Sequence, residues 1–259
     1  DTTSPEAREA LKSGSIFGRA FWVRAVGALL GRDAEGPVEQ ASRRQLVARQ
    51  ATSLLPEDAE FAFAQTPLRD AAYSLLTRKE RLRLHARAAD LLEPRARELG
   101  RRVTILAAEH REAAEQDAAA ARLWAQASWE AYRQGAYVEA LGMARDAQRL
   151  GEGANAAIQS VRCLVALGQY DQAVAEAEEV LAMPELSPGD THKALYQLAS
   201  VLERRGDFRK SIEIFQRVLD TAPAEAMRLD VLAARCGCHY RMANYAEAMS
   251  DVEEIRRGA

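Results

Sequence analysis

The feature that most constrains this chain is a repeat in its second half. A small residue, a spacer, an aromatic residue and, three positions later, another small residue recur four times. The four occurrences begin at Gly135, Gly168, Gly206 and Ala243, which are 33, 38 and 37 residues apart. The first small residue permits a tight chain reversal, and the aromatic residue fills the space between two helices. The pattern therefore predicts stacked helical hairpins.

These residues resemble the tetratricopeptide repeat, a helical hairpin of 34 residues. Trp124 and Pro223 match two further positions of that repeat, whereas Arg235 stands where the family buries a leucine. The resemblance implies that residues 101–259 form a right-handed α-solenoid. It has four recognisable repeats that turn near residues 135, 168, 206 and 243, with one more helix in front of them.

Repeats of this family bind peptides in a concave groove lined by the first helix of each hairpin. Carried over position by position, the implied groove residues are Arg122, Trp129, Tyr132, Arg133, Ile158, Arg162, Lys193, Tyr196, Arg204, Tyr240 and Arg241. Guanidinium groups interleaved with aromatic rings suit an extended or helical peptide that carries carboxylates. The alternative for any single residue is a solvated helix face, with the aromatic rings filling contacts between repeats.

Charge separates the two halves of the chain. Residues 1–102 carry 18 Lys and Arg against 14 Asp and Glu, and residues 103–259 carry 17 against 24. The positive excess of the first part is too small to indicate nucleic-acid binding by itself. Apolar runs are short, which excludes a membrane span, and no signal peptide is recognisable. The chain begins without Met and stops after a helix with apolar periodicity, so we expect a piece of a longer protein.

The first hundred residues follow a different pattern. Ser4 and Pro5 are typical of a helix start, and apolar periodicity predicts further helices over 17–30 and 37–46. Alternating residues then predict two strands, over 46–52 and 60–65, which form a small β-hairpin. Two more helices are expected over 67–76 and 78–92. The overall prediction is a mainly α fold, with a winged-helix-like domain over residues 1–100 followed by the α-solenoid.

Several segments of this first part resemble the region after the ATPase in large bacterial signal-transduction ATPases of the P-loop class, the STAND type. The segments are 4–8, 16–22, 61–63, 68–73 and 81–85. Such proteins often carry a serine/threonine kinase or a nucleotide cyclase. The resemblance implies a winged helix that couples the solenoid to an upstream ATPase or kinase module in cis. The family's nucleotide-sensing histidine after the second wing strand is Gln65 here, which argues against direct phosphate sensing.

No catalytic motif is recognisable in the chain. It lacks the Gly-rich phosphate loop of P-loop enzymes and the motifs of protein kinases, so ATPase or kinase activity would belong to a longer protein. The four histidines, at 85, 110, 192 and 239, fall on separate predicted helices and are interpreted as ordinary surface or partly buried residues. Cys236 and Cys238 point away from each other on a helix, so no metal site and no cofactor are expected.

The leading hypothesis is a non-catalytic regulatory and protein-interaction segment of a cytoplasmic signalling protein. An odd number of cysteines, three, favours a reducing compartment. One alternative is DNA binding through Arg43, Arg44 and Arg49 of the winged helix, although the surrounding acidic residues would repel phosphate. Another alternative is a structural scaffold or oligomerisation platform. Contact with a membrane is not expected.

Overall fold

The computed structural model describes residues 3–184, 186–221 and 223–258. The chain divides into two compact units, Asp1–Trp124 and Ala125–Ala259. We call them the N-terminal unit and the C-terminal unit. Helices dominate both units, so the predicted mainly α fold is confirmed.

The N-terminal unit combines helices with a small sheet. Its elements are α1 (Pro5–Gly14), β1 (Ala20–Trp22), α2 (Val23–Leu30), α3 (Glu35–Arg43), β2 (Val47–Arg49), β3 (Glu60–Phe63), α4 (Thr66–Ser74), α5 (Arg78–Leu92), α6 (Ala96–Leu99) and α7 (Arg101–Ala113). Short 3-10 helices lie over Ser15–Phe17 and Glu93–Arg95. Helix α8 (Asp117–Arg133) begins in this unit and ends in the next.

The three strands form an antiparallel sheet in the order β1-β3-β2. Ala62 of β3 lies opposite Ala20 of β1 and Ala48 of β2. One face of the sheet is apolar, since the ring of Phe21 is fully buried and lies 5.3 Å from that of Phe63. Alternation along β3 directs Phe61 and Phe63 into the core, as a half-buried strand requires.

The prediction of one helix over 17–30 is wrong in its first part. A 3-10 turn ends at Gly18, which has a φ of 100°, and the chain then pairs with β3 before α2 begins at Val23. The predicted β-hairpin is therefore two strands of a three-stranded sheet. Phe17 and Phe21 are buried, as they would be in an amphipathic helix, so burial alone does not separate the two patterns.

The segment between β2 and β3 is fastened to the start of α2 by Asp58. Its carboxylate oxygens accept hydrogen bonds from the backbone N–H groups of Arg24 (2.8 Å) and Ala25 (2.9 Å). Trp22, at the N-cap of α2, provides no side-chain cap. A carboxylate at a helix N-terminus satisfies orphan donors and is favoured by the helix dipole. Asp58 therefore joins the sheet segment to the helix.

The ends of other helices follow their sequence signals. The hydroxyl of Ser4 accepts the N–H of Ala7 at 3.1 Å and caps α1. Thr77 and Glu80 form a reciprocal capping box at the start of α5, which runs over Arg78–Leu92 as predicted.

The C-terminal unit is a series of helical hairpins. After the end of α8 come α9 (Tyr137–Arg149), α10 (Gly153–Ala166), α11 (Tyr170–Leu181), α12 (Pro188–Arg205), α13 (Phe208–Asp220), α14 (Glu225–Arg241) and α15 (Tyr245–Gly258). Each even-numbered helix is the first helix of a hairpin, and the following odd-numbered helix is the second. The chain reverses at Gly135, Gly168, Gly206 and Ala243, all with a positive φ.

Small residues bring the two helices of a hairpin close together. The hydroxyl of Ser128 donates to the carbonyl of Ala140 at 2.8 Å, and that of Ser211 donates to the carbonyl of Ala199 at the same distance. Both pairs are 12 residues apart and buried. Side-chain hydrogen bonds at equivalent places therefore connect first and second helices, and aliphatic side chains with Phe215 fill the core between hairpins.

Candidate protein-binding surface

The first helices of the hairpins carry exposed aromatic and basic side chains. Trp129 of α8 is 44% exposed and stacks on Tyr132, with ring centroids 5.9 Å apart and planes inclined by 10°. The two residues are three apart, so they lie on the same face of the helix. Tyr132 in turn contacts Tyr137 of α9 at 5.3 Å. This support holds the indole in place while leaving nearly half of it open to solvent.

Arg162 of α10 extends this aromatic surface. Its guanidinium carbon lies 5.8 Å from the ring centroid of Trp129, within the range of a cation–π contact. In the part of the chain that the structure describes, Arg162 has no carboxylate partner. The contact with Trp129 orients the guanidinium and leaves its N–H groups available to an incoming acceptor.

Tyr196 lies on α12, the next first helix along the series. Its half-buried ring packs on Phe215 at 5.8 Å. Burial raises the pKa of the Tyr196 hydroxyl, as do the nearby charges of Asp230 and Glu203, whereas Arg162 lowers it. Tyr196 therefore lies within electrostatic reach of a cation on α10 and an anion on α14. We call Trp129, Tyr132, Arg162, Tyr196 and Asp230 the aromatic stripe.

The remaining predicted groove residues differ in their surroundings. Arg133 and Arg204 are exposed near the ends of their helices. Tyr240 is 67% exposed and contacts Tyr245 edge to face at 5.7 Å. The guanidinium of Arg241 lies 5.6 Å from the ring centroid of Phe208.

Two predicted groove residues are engaged within the unit. The ammonium of Lys193 lies 2.9 Å from a carboxylate oxygen of Asp190 and 3.3 Å from the side-chain oxygen of Asn155. The prediction for Ile158 is wrong, because this side chain is only 3% exposed and belongs to a core cluster with Val180. An aliphatic residue at that position of the helix completes the core instead of facing a ligand.

Arg122 lies in the N-terminal unit and is exposed. Asp230, the acidic residue of the stripe, is not among the groove residues that the sequence pattern predicted. A single aspartate on a helix gives no local signal, and its electrostatic effect on Tyr196 arises only in the folded chain.

Arg235, which departs from the repeat pattern, forms a buried ion pair. Its Nε donates to Asp251 Oδ2 at 3.1 Å, and a second guanidinium nitrogen bonds the other carboxylate oxygen. A third guanidinium contact goes to the side-chain oxygen of Gln216. The Asp251 side chain is 3% exposed. The polar residue at an apolar position is therefore matched by a carboxylate from the second helix of the hairpin.

The basic residues predicted to read DNA are partly neutralised. The guanidinium of Arg43 lies 3.8 Å from a carboxylate oxygen of Glu39, one turn earlier on α3. Two of the surrounding acidic residues are used internally, since Asp58 caps α2 and Glu60 accepts the indole N–H of Trp22 at 3.0 Å. The charge of Arg43 is therefore partly offset by a neighbouring carboxylate.

A cleft of about 450 Å³ opens on the N-terminal unit. Its apolar lining includes Leu55, Leu91 and Leu99, and two cations, Arg24 and Arg95, stand at its wall. Glu57 and Glu98 also line it. The mixture of apolar and charged side chains suits a protein segment better than a small anion.

Two of the four histidines meet in the core of the N-terminal unit, which the sequence did not indicate. The Nδ1 atoms of His85 and His110 are 2.8 Å apart, and both rings are buried. Burial lowers the pKa of His85 to about 4 and that of His110 to about 3. Neutral rings in this pair have a structural role.

The thiols of Cys236 and Cys238 also lie within the fold. Cys236 donates to the carbonyl of Ala248 at 3.4 Å, and Cys238 lies 3.6 Å from the hydroxyl of Ser211. Burial raises the pKa of both thiols, so they stay protonated near neutral pH.

Residues 154–224 match the family model of the tetratricopeptide repeat. This match covers α10 to α13, so these two hairpins are tetratricopeptide repeats. A search of curated protein sequences found no match. Within the described residues, no helix is both long and apolar enough to span a bilayer.

Solved structures share the helical-repeat fold. A MamA fragment from Desulfovibrio magneticus RS-1 is 18% identical with a TM-score of 0.52, over 67% of this chain and 94% of that one. The apo form of RapI is 14% identical with a TM-score of 0.53, over 74% of this chain and 60% of that one. At these identities the similarity shows the fold alone.

A longer alignment is found with a STAND protein from Pyrococcus horikoshii that has a tetratricopeptide repeat sensor. It covers 98% of this chain and 50% of that one, at 12% identity. Its TM-score of 0.46 gives the similarity no weight for fold or function.

Proposed function

We propose that the C-terminal unit is a peptide-binding module that holds its ligand across the aromatic stripe. The observation that carries this proposal is the environment of Trp129, which is 44% exposed yet fixed between Tyr132 and Arg162. An exposed, immobilised indole loses little conformational freedom when it is covered, and aromatic anchors of this kind dominate the binding energy of many interfaces.

The charges around the stripe favour a ligand that carries carboxylates. Arg133, Arg162, Arg204 and Arg241 lie on first helices, and in the described part of the chain none has a carboxylate partner. Guanidinium groups bind carboxylates through two parallel hydrogen bonds, which adds geometric specificity to the contact. An extended or helical peptide with acidic side chains fits this surface best.

For the N-terminal unit we infer a winged-helix-like domain, spanning about residues 1–100, that couples the repeats of residues 101–259 to an ATPase or kinase module in cis. The order α1, β1, α2, α3, β2, β3 supports a winged helix. The cleft lined by Leu91, Leu99 and Arg95 would receive a segment of the partner module. The chain itself would be non-catalytic and would need no cofactor.

A selection experiment tests the peptide-binding proposal. The full chain is immobilised and challenged with a display library of linear 12-residue peptides, alongside a variant in which Trp129, Tyr132 and Arg162 are replaced by alanine. The wild type is expected to enrich peptides with carboxylates, and the variant is expected to lose them.

A matched control distinguishes peptide binding at this surface from non-specific peptide binding elsewhere on the chain. Arg209 and Arg217 are exposed on α13, the second helix of a hairpin, and their replacement by alanine should leave the enriched peptides unchanged. Peptides retained equally by the triple variant, or none enriched by any variant, would refute the proposal. Far-UV circular dichroism of all variants checks that the fold is kept.

A further inference from the structure

The aromatic stripe carries opposite charges at two separate places. Arg162 lies on α10, Tyr196 on α12 and Asp230 on α14, and the charges of Arg162 and Asp230 both act on the Tyr196 hydroxyl. Helix α12 packs against both α10 and α14, so the three residues follow consecutive first helices. Within the stripe, the charged residue on α10 is therefore basic and the one on α14 is acidic.

Neither charge forms an ion pair within the described part of the C-terminal unit. Within the described residues, Arg162 has a cation–π contact with Trp129 and no ion pair, and Asp230 is exposed without an ion-pair partner. Lys193 on α12 shows the contrast, because its ammonium is neutralised by Asp190 at 2.9 Å. An unpaired cation on α10 and an unpaired anion on α14 favour a ligand that presents the opposite charges in the same order.

We propose that the stripe binds its peptide in one direction, with an acidic residue at Arg162 and a basic residue at Asp230. This inference rests on the proposed peptide-binding function and adds its polarity. A peptide bound in the reverse direction would bring like charges together at Arg162 and at Asp230. The stripe therefore disfavours the reversed peptide, in addition to favouring the peptide whose charges are complementary.

The spacing of the two ligand charges follows from the helices. Packed helix axes lie about 8–10 Å apart, so Arg162 and Asp230, two first helices apart, are separated by roughly 16–20 Å. An extended chain advances about 3.3 Å per residue. After allowance for side-chain reach, the acidic and basic residues of the peptide should lie about four to six positions apart. An apolar or aromatic residue between them would cover Tyr196.

The test repeats the peptide selection on a charge-exchanged chain. The wild type and the variant Arg162→Glu/Asp230→Arg, which keeps the net charge, are each used to select from the 12-residue library. The wild type should enrich peptides with acid and base in one order at this spacing, and the variant should enrich the opposite order. A selected wild-type peptide should bind the exchanged variant at least about tenfold more weakly.

Two controls make the outcome decisive. Lys210→Glu/Glu213→Lys exchanges two exposed charges on α13 and should leave the selected order unchanged. Arg162→Ala alone should abolish the acidic preference and keep the basic one. If peptides are enriched through Trp129 but show the same charge order on both chains, the polarity is refuted and the peptide site survives. If no peptide is enriched at all, both proposals fail.

Discussion

His85 and His110 share a hydrogen bond between their Nδ1 atoms, 2.8 Å apart, in the core of the N-terminal unit. One ring must donate and the other must accept, so the pair requires two neutral imidazoles or a single shared charge. The Nε2 of His85 contacts the hydroxyl of Tyr73 at 3.1 Å, and the guanidinium groups of Arg69 and Arg81 lie over the Tyr73 ring. These neighbouring cations and the burial both disfavour a charged ring.

The histidine pair predicts that the N-terminal unit loses stability in mild acid. Each ring has a folded pKa below its ordinary value of 6.5, about 4 for His85 and about 3 for His110. Their contribution is therefore fully present above pH 6.5 and falls as the pH drops, by up to about 1.4 kcal/mol per pH unit for each ring. Urea unfolding at pH 7.5, 6.5, 5.5 and 5.0 measures this slope.

Two variants separate this slope from the titration of other groups. His110→Gln removes one of the rings and should remove about half of the slope between pH 6.5 and pH 5.0. His192→Gln changes a histidine outside the pair and should leave it unchanged. A free energy of unfolding that is flat over this range would contradict the predicted neutrality of the pair.

The ion pair of Arg235 and Asp251 predicts a strongly non-additive response to mutation. Arg235→Leu leaves the Asp251 carboxylate, 3% exposed, without its partner and should cost about 3–5 kcal/mol. The double variant Arg235→Leu/Asp251→Leu should recover most of this loss, because it leaves no unpaired buried charge. Chemical denaturation of the full chain measures the cycle. Arg257→Leu, in an exposed pair with Glu253, should cost less than about 1 kcal/mol.

A substitution in the fourth hairpin turn, at Ala243, is expected to stabilise the protein. Ala243 has a φ of 60°, in the left-handed region where the equivalent turn residues Gly135, Gly168 and Gly206 have no Cβ to strain. Ala243→Gly should raise the free energy of unfolding by about 0.5–1 kcal/mol, since the relieved strain exceeds the added entropy of the unfolded chain. The reverse change, Gly206→Ala, should destabilise. A destabilising Ala243→Gly would show that the turn is not strained.

Removal of the Asp58 cap on α2 is expected to destabilise the fold locally. Asp58→Ala removes the acceptor of two backbone N–H groups, those of Arg24 and Ala25, and should cost about 1–3 kcal/mol. Thermal unfolding measures the change. The neighbouring exposed Glu57 is the matched control, and Glu57→Ala should change the stability by less than about 0.5 kcal/mol.

Local sequence signals were sufficient to predict those elements that are stabilised by residues close together in the sequence. Thr77 and Glu80 mark the start of α5, and both bounds of that helix follow from the sequence. The strand Ala20–Trp22 could not be predicted in the same way. Its apolar residues fit a helix face equally well, and only pairing with Glu60–Phe63, forty residues later, decides for a strand.

The candidate site could likewise be predicted from the sequence only in part. Repeat spacing placed Trp129, Arg162 and Tyr196 on first helices, but it could not distinguish exposed from buried positions, and Ile158 proved to be core. The pairing of His85 with His110 depends on a contact between separate helices. Such contacts have no local sequence pattern, so they require the folded arrangement.

The central claim, that the aromatic stripe is a peptide-binding surface, is tested most directly by one affinity comparison. A peptide selected on the wild type is titrated, by fluorescence anisotropy, into the wild type, Trp129→Ala and Val138→Ala. Val138 is 72% exposed on α9, outside the stripe, and matches Trp129 as an exposed apolar residue. The Kd should rise at least about tenfold for Trp129→Ala and stay within twofold for Val138→Ala. Equal affinities for all three chains would contradict the claim.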